Sequence, residues 1–329
     1  MTSGKTDRRL GEFELIAALF APLSRNAPGA FGLTDDAAVL VPPLGHELVL
    51  KTDAIVEGVH FLHDDPAESV ARKALRVNLS DLAAKGAEPA GYLMTLLLPA
   101  WPDMAWLEAF AGGLAADQAE FGLSLLGGDT SATPGPLAIS IAAMGFVPQG
   151  QMIRRAGATS GDCIFVSGTI GDAAGGLAVL KDAKKTHTSP ELVARYRVPS
   201  PRLQLGRALR GIATAALDVS DGLVADLAHM AKSSRVRMVI EAARVPLSPA
   251  LQHLWGSSAD AISRAVTAGD DYEIAFTAPA SQRGAIIDAA ARCGVSVTEI
   301  GRVEAGEGVV LRDQGGKDVP IVRGGFTHF

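Results

Sequence analysis

Five times along its 329 residues the chain runs into aspartate set among small or turn-forming residues, at the end of an apolar strand or the start of a helix. These places are Asp35-Asp36, Thr52-Asp53, Asn78-Leu79-Ser80-Asp81, Gly127-Gly128-Asp129-Thr130 and Asp218-Val219-Ser220-Asp221-Gly222. Each has an ordinary explanation. Asp81 could pair with Lys85 one helical turn later, Asp218 or Ser220 could cap the helix that opens near Gly222, and Asp129 could be a turn residue. Five such placements in one chain point instead to a shared metal site, because clustered carboxylates raise one another's pKa unless a cation compensates. Hard oxygen donors suit magnesium, which takes one or two carboxylates and leaves its other positions to water and phosphates.

Hydrophobic periodicity arranges these acids on an α+β pattern, with sheet on one side and helices on the other. Helices are predicted at 12–24, 67–86 and 103–122, with strands near 47–52, 91–98, 123–126 and 137–147. A new unit opens after Val147-Pro148-Gln149-Gly150, which divides the chain into domains 1–150 and 151–329. The second carries strands at 163–167, 214–218, 236–241 and 295–311, and helices at 202–212, 222–233 and 281–293. The polar, proline-bearing stretch 181–202 reads as a surface excursion.

A net charge of -6 and the lack of a basic stripe argue against nucleic acid. Arg154-Arg155 and Lys184-Lys185 are only short pairs, the second best read as solvated surface charge. Two cysteines make no disulfide framework, and Cys163 lies in an apolar run that suits core packing. No stretch approaches the roughly 20 apolar residues of a membrane span, and the N-terminus lacks an apolar signal region. Both features favour the cytoplasm. Gly168-Thr169-Ile170-Gly171-Asp172-Ala173-Ala174-Gly175-Gly176 follows a strand and precedes a helix, but it lacks the Gly-Lys-Ser/Thr ending of a phosphate loop. Close helix–sheet packing is its expected role.

The ordered motifs resemble the thiamine-monophosphate kinase family, within the aminoimidazole ribonucleotide synthetase superfamily. The resemblance rests on Asp35-Asp36-Ala37-Ala38, Lys51-Thr52-Asp53, Gly58-Val59-His60-Phe61, Lys73 to Ala84, Gly127-Gly128-Asp129-Thr130, Arg155-Ala156-Gly157-Ala158, Asp218-Val219-Ser220-Asp221-Gly222-Leu223 and Gly269-Asp270-Asp271-Tyr272-Glu273. It implies a two-domain fold of that superfamily: an N-terminal α/β sheet domain that dimerises, a C-terminal α+β domain, and an active site in the cleft between them. It further implies a homodimer that uses ATP and several magnesium ions to phosphorylate thiamine monophosphate to thiamine diphosphate. By the same resemblance Asp36, Thr52, Asp53, Asp81, Asp129, Asp218 and Asp221 are magnesium ligands, of which Asp36, Asp129, Asp218 and Asp221 carry catalysis. Gly128, Asp129, Arg155 and Ser220 match nucleotide contacts, and His60, Asp270 and Phe326 match positions that hold thiamine monophosphate.

Four positions depart from the family pattern. Thr34 stands where Gly often precedes the paired acids, Lys51 where a small hydroxyl residue is usual, Asp270 where Glu is, and Phe326 where Tyr or Trp is common. They bear on substrate fit rather than on the reaction. The acceptor is a phosphate monoester with a second pKa of about 6, largely dianionic at neutral pH, so its attack needs no general base. Catalysis is then positioning in line and screening of charge, and a catalytic histidine triad is neither found nor needed. Three rivals stay open on sequence alone: another ATP-using enzyme of the superfamily, a non-catalytic nucleotide-binding assembly protein, and a metal-dependent phosphohydrolase. Among the first, selenophosphate synthesis would need a reactive Cys or selenocysteine near the start, and residues 1–20 have no Cys.

Overall fold

The computed structural model describes residues 11–99, 104–182, 184, 188–320 and 325–326. The expectations for the first nine residues and for Lys185 lie outside these. Two compact units emerge. One holds residues up to Pro42, Thr52–Leu75 and Pro89–Met144; the other holds Pro43–Lys51, Arg76–Glu88 and Gly145 onward.

In the first unit the expected helix at 12–24 is helical throughout but changes its winding. A four-residue α-helix α1 (Glu12–Leu15) passes into a π-turn at Ile16–Phe20 and a 3-10 turn at Ala21–Ser24. Pro22 has no N–H to give, which favours a change of winding there. A four-stranded sheet has the order β1-β4-β2-β3, from β1 (His46–Val56), β2 (Glu88–Leu98), β3 (Ser124–Ala132) and β4 (Ala138–Pro148); β1 up to Lys51 and β4 from Gly145 count with the second unit. Helices α2 (Ala67–Ala84), which counts with the second unit from Arg76 on, and α3 (Met104–Phe121) fall where the 3.6-residue period places them. Arg72 of α2 reaches the fully buried Asp117 of α3 at 2.9 Å. Strand β3 runs past residue 126, so Gly127-Gly128-Asp129-Thr130 is strand rather than turn. The parallel β2–β3 ladder shifts register between Tyr92 and Leu93, where Leu93 faces Gly127 and Met94 faces Gly128.

The second unit is built on a seven-stranded mixed sheet in the order β11-β10-β7-β9-β5-β8-β6. Its strands are β5 (Cys163–Ser167), β6 (Ala215–Asp218), β7 (Arg237–Glu241), β8 (Ile274–Ala278), β9 (Val297–Glu304), β10 (Gly308–Arg312) and β11 (Asp318–Val319). β5, β6 and β8 are buried along their whole lengths, and Phe165 stacks on its cross-strand partner Phe276 with centroids 5.2 Å apart. Helices α4 (Asp172–Leu180), α5 (Pro190–Arg197), α6 (Leu203–Ala208), α7 (Leu223–Ser234), α8 (Pro249–Trp255), α9 (Ala259–Val266) and α10 (Arg283–Cys293) complete the unit.

The stretch 181–202 is therefore more than a surface excursion. Its α5 buries Leu192 and Tyr196, and polar Glu191, Arg195 and Arg197 mask that apolar face in composition. The helix lies on α4, where a Cβ at Gly176 would sit 2.1 Å from the Leu192 carbonyl oxygen. Gly171, Gly175 and Gly176 thus serve helix–helix packing, while a Cβ at Gly168 would meet the Glu273 carboxylate. The opening amide of α4 is already taken, since Gly171 N–H donates to both oxygens of the buried Asp271 carboxylate at 2.9 and 2.8 Å. An internal acid fills the place that a phosphate loop would offer to a ligand.

Candidate active site

In the first unit, β3 carries Gly127, Gly128, Asp129 and Thr130 along one wall of a cavity of about 660 Å³, which Asp35, Asp36, Ala37 and Ala38 also line. The loop before Asp35 bends through left-handed Phe31, Gly32 and Leu33 (φ 50°, 66° and 60°). Thr34 takes an ordinary φ of -110°, and its hydroxyl donates to the Phe31 carbonyl at 2.7 Å. Asp36 and Asp129 are exposed. The glycine beside Asp129 has a packing reason of its own: at φ 156°, a Cβ on Gly128 would stand 1.8 Å from the Met94 carbonyl oxygen.

Strand alternation sorts the residues of β1. Val49, Lys51, Asp53 and Ile55 form the more buried row, and Thr52 stands exposed on the opposite face. Of the Thr52–Asp53 pair only Asp53 shares the face of Lys51. His60 sits in a tight turn, where its Nδ1 accepts the Val56 N–H at 3.0 Å and its carbonyl accepts the Lys73 ammonium at 2.7 Å.

In the second unit, residues far apart in sequence meet around the turn after β6. Asp270 N–H donates to the Ser220 carbonyl at 2.8 Å, and Phe326 N–H donates to the Asp221 carbonyl at 2.9 Å. The turn is clamped from behind by Asp226, whose Oδ2 accepts the N–H groups of Ser220, Asp221 and Gly222 at 3.0, 3.0 and 3.2 Å. Burial, then the charge of Asp221, pushes the Asp226 carboxyl up to about 7 against the pull of those donors. No side chain caps Gly222 at the start of α7, so neither Asp218 nor Ser220 is the helix cap. Beyond the turn Glu273 is fully buried. It accepts from Arg195 and Arg202 at 2.7 Å each and from the Ser167 hydroxyl at 2.6 Å.

Asp218 ends β6 nearly buried. Burial first, and then the charge of Asp81, holds its carboxyl well above the usual carboxylate range. Asp81 pairs with Lys51 at 2.7 Å rather than with Lys85. Lys85 instead donates to the Ala216 carbonyl at 2.8 Å. Burial lowers its ammonium to about 8, against the attraction of Asp218 and Asp81 and with repulsion from Arg155 and Lys51. Lys85 is the residue that sequence reasoning passed over. The signal was its place four residues after Asp81, just past the end of α2, which suggested a local pair instead.

Two family models match, AIR synthase related protein N-terminal domain over residues 34–147 and C-terminal domain over 159–314. A thiamine-monophosphate kinase of Caulobacter vibrioides is 46% identical over 96% of this chain and 90% of its own. The chain belongs to the thiamine-monophosphate kinase family. Among solved structures, the thiamine-monophosphate kinase from Stenotrophomonas maltophilia K279a has a TM-score of 0.82 at 41% identity, covering 92% of this chain and 98% of its own. AaThiL complexed with AMPPCP and TMP has a TM-score of 0.77 at 34% identity, covering 98% and 99%.

The acids suit the family's kinase chemistry without forming a ready-made cage. Among the described residues no three His, Cys, Asp or Glu side chains gather closely enough to hold a metal by themselves. The charge of Asp81 adds to the cost of charging the buried Asp218, an arrangement that a divalent ion relieves. No helix among these residues is long and apolar enough to cross a membrane.

Proposed function

We propose that this chain transfers the γ-phosphoryl group of ATP to thiamine monophosphate, giving ADP and thiamine diphosphate, the last step in making that cofactor. The observation that carries the reading is the end-to-end match to a kinase solved with AMPPCP and TMP. The meeting of Ser220, Asp221, Asp270 and Phe326 around one turn supports it. In this reading residues 1–150 bind metal and ATP and dimerise, and residues 151–329 complete the catalytic set.

Asp36, Thr52, Asp53, Asp81, Asp129, Asp218 and Asp221 would hold magnesium ions. Bound there, magnesium supplies charge neutralisation and alignment of the phosphates. Gly128, Asp129, Arg155 and Ser220 contact the nucleotide, and Arg155 neutralises phosphate charge. His60, Asp270 and Phe326 hold the acceptor, Phe326 by stacking. A second copy of the chain pairs through the four-stranded sheet, where Leu48, Leu50 and Leu93 stand exposed. The enzyme works in the cytoplasm.

Incubation with Mg-ATP and thiamine monophosphate should give ADP and thiamine diphosphate in equal amounts. Free thiamine, whose alcohol must lose a proton, should be a very poor acceptor. Equal rates on the two acceptors, or phosphate release without either, would overturn the reading.

A further inference from the structure

Within the second unit, two carboxylates and three cations share one neighbourhood. The charge of Asp81 bears on Asp218 and that of Lys51 opposes it, while Lys85 feels Asp218, Asp81, Arg155 and Lys51. Lys85 directs its short contact to the Ala216 carbonyl. Lys51 directs its own to Asp81, with 2.7 Å between ammonium and carboxylate and side chains 29% and 18% exposed. The contact crosses from the inner row of β1 to α2, and an ammonium on a flexible four-carbon stem can reach and leave a carboxylate without moving the backbone. The pair is open enough to exchange partners and closed enough for charge to count.

We propose that Lys51 is a tethered counter-ion which a divalent cation must displace from Asp81, so that this chain binds its ion there more weakly than its acids alone would. The inference rests on the magnesium reading of the acidic set and adds a competitor built into the chain. Magnesium gives up its waters reluctantly, so a resident cation that already neutralises Asp81 raises the concentration at which the ion enters. The same ammonium keeps Asp81 and Asp218 tolerable to each other while no ion is bound.

Mn2+ is the probe, titrated into the full chain with and without AMPPCP and followed by the electron paramagnetic resonance signal of free Mn2+. Lys51→Met, which keeps the stem and removes the charge, should tighten the weakest bound Mn2+ about three- to tenfold. Lys51→Arg, which keeps the charge, should stay near the parent. Without metal Lys51→Met should melt lower than the parent, and saturating Mn2+ should raise its melting temperature by more. Lys51→Gln is read in the same way if the Met variant does not fold. Unchanged or weaker Mn2+ binding in the neutral variants overturns the inference, as does equal tightening in Lys51→Arg. If neither parent nor variant takes up Mn2+ even with AMPPCP, the magnesium reading falls with it; equal binding by both removes the Lys51 inference alone.

Discussion

Asp226 reaches back across the turn to Asp221, its carboxylate accepting the Asp221 N–H at 3.0 Å while holding the amides on either side. Two proposed ligand residues, Ser220 and Asp221, are thus held by an acid outside the proposed ligand set. Asp226→Ala should cost about 2–3 kcal/mol, because three N–H groups, one buried and two part-buried, lose their shared acceptor. Asp226→Asn keeps an accepting oxygen and should cost about half as much. Denaturant unfolding measures the stability. Turnover should fall in Asp226→Ala beyond what its unfolded fraction explains.

Glu273 is the counter-charge for two arginines. Glu273→Gln leaves Arg195 and Arg202, whose side chains are 19% and 22% exposed, facing a neutral amide at a fully buried position. Breaking a buried ion pair from one side costs about 3–5 kcal/mol, so this variant should melt far below the parent. A melting temperature within a degree or two would show that water or another group takes over.

Gly127 and Gly128 make opposite demands. Gly128→Ala forces a Cβ to within 1.8 Å of the Met94 carbonyl oxygen, whereas Cβ at Gly127 meets nothing closer than 3.4 Å. We expect Gly128→Ala to lose about 2 kcal/mol or more and Gly127→Ala less than about 1 kcal/mol. Thermal unfolding of both variants checks the contrast.

Asp218→Asn separates metal chemistry from structure. Asp218 caps no helix, and its charge is costly where it sits, so the amide should leave the melting temperature unchanged or slightly raised. Phosphoryl transfer should nevertheless fall by about two orders of magnitude if the carboxylate holds magnesium. Full activity at limiting magnesium would remove Asp218 from the ligand set.

Lys85 predicts a pH dependence of stability. Its ammonium titrates near 8 in the folded chain because of burial, and near 10.4 when unfolded. Between these values the unfolded state binds more protons, so stability rises with pH. The destabilisation is fully present below about pH 8 and is gone above about pH 10.5, a span of at most about 3 kcal/mol. Lys85→Met should lack this slope when unfolding is compared at pH 7.5 and pH 10.

The acids proposed to carry the chemistry were legible because each stands in a local pattern: an apolar run, small residues, then an acid. The same patterns located α2 and β2, whose periods are strong, and the amphipathic turns of α7. The tertiary structure decided which cation each acid meets. Asp81 could take Lys85 by helical spacing, but folding brings Lys51 from β1 within 2.7 Å and directs Lys85 to a strand carbonyl. It likewise turned 181–202 from an excursion into a packed helix, because Leu192 and Tyr196 find α4 and Arg195 finds Glu273. Local sequence sets backbone preference and the face on which a side chain emerges. Partners brought together from 30 to more than 100 residues away, as with Asp81 and Lys51 or Phe326 and Asp221, follow only from how sheet and helices close on their cores.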